Sequence, residues 1–251
     1  MDTMLGVFRY EMLMGVKRWG VWLATFLAST PAITSLSGDD AAHLSVWTSA
    51  ATIALGLNLL TPVVGGIAMA DRLHRDSRLG VSELMRVTLL PRPAYVLGKY
   101  LGAVGATLTP LLVVSLVTAL SLVVMGAPPT LLVAQAAAFL VVNVPACLFV
   151  GAFSLACPAV LPLRVYQVLF TGYWFWGNFL NPNEFPTLNG SLLTPYGEYA
   201  ASGILASSDR LPYWNVYSFE QGVASIALLV LCAAAALFAL DRCLALQEAR
   251  T

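Results

Sequence analysis

Apolar residues along this chain gather into long uncharged runs separated by short polar breaks. A helix needs about 20 mostly apolar residues to cross the roughly 30 Å hydrocarbon core of a bilayer. Six runs approach or exceed that length, at about residues 20–36, 46–70, 100–125, 131–157, 165–180 and 222–240. The second would span roughly 37 Å, enough to cross with tilt or a bend. Ahead of the first run, residues 2–19 carry helical periodicity. Met4, Leu5, Phe8, Met12, Val16 and Trp19 fall on one arc, and Asp2, Arg9, Glu11, Lys17 and Arg18 fall on the other. This pattern predicts an amphipathic helix lying in the membrane interface.

The breaks differ in character. Residues 37–43 form a short turn whose charges, Asp39 and Asp40, are acidic. Residues 71–99 are the only long charged stretch, with Arg72, Arg75, Arg78, Arg86, Arg92 and Lys99 beside Asp71, Asp76 and Glu83. Within it Ser82 can cap a short helix, Glu83 suits the positive N-terminal end, and Pro91 and Pro93 stop it. GAPPT at 126–130 and PAVLPLR at 158–164 are tight returns. Residues 181–219, rich in Asn, Pro and Gly, hold SLLTPYGEYAASGIL, apolar enough to lie on the membrane or to re-enter it shallowly.

Composition supports this picture. The 251 residues are 59% hydrophobic and 10% charged, against about 25% charged in soluble domains. Mean hydropathy is +0.79. The expected fold class is all-α integral membrane, one transmembrane domain over residues 1–251, in a cell (inner) membrane. With the N-terminus inside, Arg210 is the sole external base among the 13 Lys and Arg residues, whereas Asp39, Asp40, Glu184, Glu198, Asp209 and Glu220 are external. That bias predicts six spans, N-in and C-in. No convincing small-x-small cleavage site follows the first run before Gly38, so it is expected to stay uncleaved. The zero net charge argues against nucleic acid as a partner.

Candidate chemistry is sparse. Cys147, Cys157, Cys232 and Cys243 include no Cys-x-x-Cys pair and read as small apolar packers. The sequence has no phosphate-binding loop, zinc-binding His pair or nucleophile elbow. No ionisable residue sits mid-span, which weighs against an ion-coupled carrier. The chain is therefore expected not to be an enzyme and to take any energy from another subunit. Pro62 permits a kink, Gly65 and Gly66 allow a helix to approach closely, and Asn58 needs a polar partner or water at membrane depth. The fifth run is aromatic, with Tyr166, Phe170, Tyr173, Trp174, Phe175, Trp176 and Phe179.

The run SELMRVTLLPRPAYVLGKYLG at 82–102, through Glu83, Leu84, Met85, Pro91, Arg92, Gly98 and Lys99, resembles the membrane permease subunits of type-2 export ATP-binding-cassette (ABC) transporters. The layout also agrees, from the interfacial helix through six spans to a long outer segment before the last span. The resemblance implies a cytoplasmic coupling helix between spans two and three. It implies a second permease chain, identical or paralogous, and a cytoplasmic ABC ATPase subunit that carries the ATP and magnesium; no cofactor is expected in this chain. Docking of the ATPase would fall on Arg75, Asp76, Arg78, Glu83, Met85 and Arg86. A translocation path would be lined by Asn58, Tyr166, Tyr173, Trp174 and Trp176. An integral-membrane enzyme and a non-transporting scaffold or sensor subunit are the competing classes. No motif designates a substrate.

Overall fold

The computed structural model describes residues 2–34, 44–78, 91–205 and 215–248. Every regular element among them is helical. The order is α1 (Asp2–Val16), α2 (Trp19–Ala28), α3 (Thr30–Thr34), α4 (Val46–Arg78), α5 (Arg92–Val124), α6 (Thr130–Ala138), a π-type turn (Phe139–Asn143) and α7 (Val144–Ala156). After a short 3-10 turn at Cys157–Ala159 come α8 (Leu163–Phe179), α9 (Glu198–Ala200), a second π-type turn (Ala201–Leu205) and α10 (Phe219–Glu248).

Among the described residues, four stretches are long and apolar enough to cross a membrane: Val46–Leu73, Arg92–Val124, Thr130–Ala159 and Phe219–Gln247. They coincide with the second, third, fourth and sixth apolar runs. The first run is divided between α2 and α3. Ser29, buried at the break, turns its hydroxyl back onto the Thr25 carbonyl at 2.7 Å. The fifth run is helical as α8, whose 17 residues measure about 25 Å.

α4 is the hub, in contact with α2, α3, α5, α6, α7, α8 and the first π-type turn. The small residues in its sequence permit this crowding. A Cβ on Gly65 would lie 2.7 Å from the Thr107 side chain of α5, and one on Gly66 would lie 2.4 Å from the Phe170 ring of α8. Pro62 cannot donate to the Asn58 carbonyl one turn back, which weakens the helix ladder there. The neighbouring Leu59 carbonyl accepts the Trp174 indole N–H at 2.9 Å.

Two apolar clusters meet along this hub. One joins α5, α7, α8 and α10 through residues such as Tyr100, Val104, Phe149, Trp174 and Leu237. The other joins Ala50, Ala51 and Ala54 of α4 to Leu131 and Ala138 of α6 and to Tyr196, Ala201 and Leu205. Residues 194–205 are therefore packed among the helices.

Two boundaries move relative to the sequence reading. The charged stretch 71–99 is in large part regular helix. α4 continues through Arg78, and Pro91 and Pro93 begin α5, where fixed φ and a dispensable N–H suit the first helical positions. The helix expected near 82–90 lies outside the described residues. The N-terminal helix forms as expected and leaves Leu5 and Trp19 of the apolar arc and Arg9 and Lys17 of the polar arc exposed, but Glu11, placed on the polar arc, is buried.

Candidate functional site

Glu11 is buried because it meets two cations from distant parts of the chain. Its Oε2 accepts from Arg72 Nη1 of α4 at 2.9 Å, and its Oε1 accepts from Lys99 Nζ of α5 at 2.7 Å. Their exposures, 3% for Glu11, 3% for Arg72 and 1% for Lys99, exclude water from the triad. Charges so enclosed need short, well-formed pairs to offset their desolvation. The Lys99 ammonium also lies 5.7 Å from the centre of the Tyr95 ring.

Glycines let α1 reach this position. A Cβ on Gly98 would fall 2.8 Å from the Met4 carbonyl oxygen. One on Gly102 would fall 2.7 Å from both Glu11 Cβ and the Phe8 carbonyl oxygen. The spacing Gly98-x-x-x-Gly102 thus brings two helix backbones together. Along the contact Met4 faces Gly98, Phe8 faces Gly102 and Met12 approaches Gly105, so α1 and α5 run in the same sense. Arg72 lies six residues before the end of α4 and Lys99 seven residues beyond the start of α5. The triad fastens both helices to α1.

A second polar centre lies farther along α4. Asn58 Nδ2 donates to the Tyr196 carbonyl at 2.9 Å and to the Val142 carbonyl at 3.4 Å. Asn143 Nδ2 donates to Asn58 Oδ1 at 2.7 Å and to the Ala54 carbonyl at 2.9 Å. Both asparagines are fully buried. The π-type turn ends at Asn143, two residues before Pro145, which has no N–H to give. The node ties α4, this turn and the segment 194–205 into one unit. Gly197 makes the approach possible. Its φ is +96°, and a Cβ there would lie 2.7 Å from Val142 Cγ1.

Residues 198–202 and 215–217 carry a network of their own. Glu198 accepts from the Tyr217 hydroxyl at 3.3 Å, and the Tyr199 and Tyr217 rings stack at 3.8 Å. Ser202 Oγ donates to the Asn215 carbonyl at 3.0 Å and accepts the Tyr217 N–H at 3.2 Å. Burial pushes the Glu198 carboxyl above its ordinary pKa, and the Tyr217 hydrogen bond opposes that push.

The sequence-derived candidates distribute as follows. Arg75 lies on α4, half-buried, one turn beyond Arg72, and Asp76 and Arg78 lie in the last turn of α4. Glu83, Met85 and Arg86 fall outside the described residues. Asn58, Tyr166 and Trp174 are gathered along α4: Tyr166 hydrogen-bonds Ser154 at 2.9 Å, and Trp174 is fully buried. Tyr173 and Trp176, 43% and 48% exposed, are on the opposite side of α8. Trp176 Nε1 donates to the Pro186 carbonyl at 3.2 Å.

Glu11 and Asn143 were not singled out in the sequence. Glu11 carried a signal, since it is an acid flanked by Tyr10, Met12, Leu13 and Met14. Asn143 carried another, as the amide in the fourth run that could answer Asn58. Comparison with known proteins adds nothing to this geometry: no family model matches the chain, and no curated protein matches it.

Proposed function

We propose that this chain is the permease subunit of an ATP-driven type-2 ABC exporter. It spans the membrane six times with both termini in the cytoplasm, and it works as a dimer with an identical or paralogous chain. A separate cytoplasmic ATPase subunit docks on the segment between α4 and α5, through Arg75, Asp76, Arg78, Glu83, Met85 and Arg86. The reading is carried by the Glu11–Arg72–Lys99 triad. A partner pushing on that segment acts on two helix ends that are fastened together and to α1. Force applied there is delivered to whole helices instead of being absorbed by a loose loop.

The other end of the reading is the Asn58 node. α4 carries Arg72 at one level and Asn58 at another, 14 residues or about 21 Å along the helix. Movement of α4 would change the packing of the re-entrant segment, which closes the bundle near Tyr196. Asn58, Tyr166 and Trp174 would then be the residues whose contacts differ between two states, which any driven transition requires. Tyr173 and Trp176, on the free side of α8, would face the path or the second chain.

The test is assembly. The Glu83→Arg, Arg86→Glu double variant is expected to insert normally and to lose a co-purifying ATPase subunit. An ATPase recovered in full with this variant would defeat the docking assignment.

A further inference from the structure

The elbow between α1 and α2 collects more positive charge than the described structure neutralises. Lys17 and Arg18 form the non-helical joint, closed by the Trp22 indole N–H donating to the Val16 carbonyl at 2.8 Å. Arg72 and Arg75 of α4 stand beside it, close enough that Arg18 and Arg75 both repel Arg72. Glu11 is the acid that pairs in this group, and Lys99 shares it. Asp71, half-buried on α4, forms no ion pair among the described residues.

Arg75 and Arg18 are half-buried and likewise have no acidic partner among the described residues. The polar contact of the Arg75 guanidinium is the Met14 thioether at 3.2 Å, a poor acceptor for a cation. The Nε atoms of Arg72, 97% buried, and of Arg75 have no hydrogen-bond partner among the described residues. The N-terminus of α2 opens at the same elbow with no side-chain cap, which adds a dipole favourable to an anion. Exposed Trp19, Leu13 and Tyr10 surround the elbow with the amphipathic surface found at the level of lipid headgroups.

The geometry points to a binding site for the phosphoryl headgroup of an anionic phospholipid at the α1–α2 elbow, held by Arg75, Arg18 and Lys17 over the Glu11 triad. The apolar rim selects a lipid over a soluble partner, because a headgroup placed there brings acyl chains that cover Leu13 and Trp19. Arginine forks suit phosphate oxygens, and basic pockets between membrane helices recognise anionic lipids. The site goes beyond the exporter reading and stands without it.

The test uses the purified full chain, delipidated in neutral detergent, with native mass spectrometry as the readout. Phosphatidylglycerol and phosphatidylcholine of identical acyl chains are offered separately, and glycerol 3-phosphate is offered as the free headgroup. Phosphatidylglycerol is expected to be retained in preference to phosphatidylcholine. Arg75→Gln and Arg18→Gln are each expected to lower retention by roughly fivefold, near the worth of one cation at an anionic surface. Arg164→Gln, an exposed base on α8 away from the elbow, is expected to leave it unchanged. Arg18 makes no ion pair among the described residues, so its variant reads binding even where the Arg75 variant melts early. Equal retention of the two lipids, or losses no greater at the elbow than at Arg164, would overturn the site. Competition by glycerol 3-phosphate at the affinity of the lipid would assign the phosphoryl group to a soluble anion and overturn the lipid. Variants that keep the lipid but shed a co-purifying protein would show that an acidic protein surface is the missing counter-charge.

Discussion

Glu11 is the single side chain on which the packing of α1 depends most. Glu11→Gln leaves the shape intact but takes the buried carboxylate away from Arg72. Breaking a buried pair in this way costs about 3–5 kcal/mol. The variant is expected to melt well below the wild type in detergent, and adding Arg72→Met should recover part of the loss by removing the buried charge that has lost its carboxylate. A melting curve like that of the wild type would mean that water reaches the triad. Glu198 gives a prediction with the opposite character. Its folded-state pKa is raised above the ordinary 4.5 by burial. Between 4.5 and that raised value the folded chain holds a proton that the unfolded chain has released. Stability therefore falls as pH rises through this window, and the full cost is present above it. Glu198→Gln keeps an acceptor for Tyr217 and removes the titration. It is expected to be more stable than the wild type at neutral pH, with the difference vanishing below about pH 4.5 in melts run across a pH series.

At the scale of elements, the α1–α5 contact is made at backbone distance and is intolerant of bulk. Gly102→Leu would drive a side chain into Glu11 Cβ and the Phe8 carbonyl, each 2.7 Å from a bare Cβ. Overpacking of this kind costs about 1–3 kcal/mol. The expected result is release of α1, seen as rapid protease cleavage within residues 2–16 while α4 and α5 stay protected. The same contact shows where local sequence runs out. The cores of α4, α5 and α10 were legible, because uncharged apolar runs declare themselves residue by residue. The end of α4 was not, since Arg72 can stay in a buried helix only by pairing with Glu11, 61 residues away. Glu11 left the polar face assigned to α1 for the same reason, because helical periodicity does not register a counter-ion on another helix. Asn58 was legible as an amide in need of a partner. That the partner would be Asn143, on a π-type turn before Pro145, depends on how α4 and α7 pack.

At the scale of the molecule, α4 connects three features that sequence treats separately: the triad at Arg72, the Trp174 contact at Leu59 and the segment around Tyr196 held at Asn58. If the chain is driven from the α4–α5 segment, the re-entrant segment is the part that must part from the bundle. A covalent link can test this. A Cβ on Gly197 would lie 3.7 Å from Val142 Cβ, within the 3.5–4.5 Å that a disulfide accepts. The Gly197→Cys, Val142→Cys pair, in a chain whose four native cysteines are replaced by serine or alanine, should cross-link on mild oxidation. If the exporter reading holds, the ATPase subunit assembled with the oxidised chain is expected to hydrolyse ATP more slowly than with the same chain after reduction, because a locked segment holds back the change of state that hydrolysis drives. Comparing oxidised and reduced forms of one protein cancels the strain of a side chain at a φ of +96°. Turnover indifferent to the link would mean that the two ends of α4 move independently, and the triad would then be an anchor for α1 with no part in transmission.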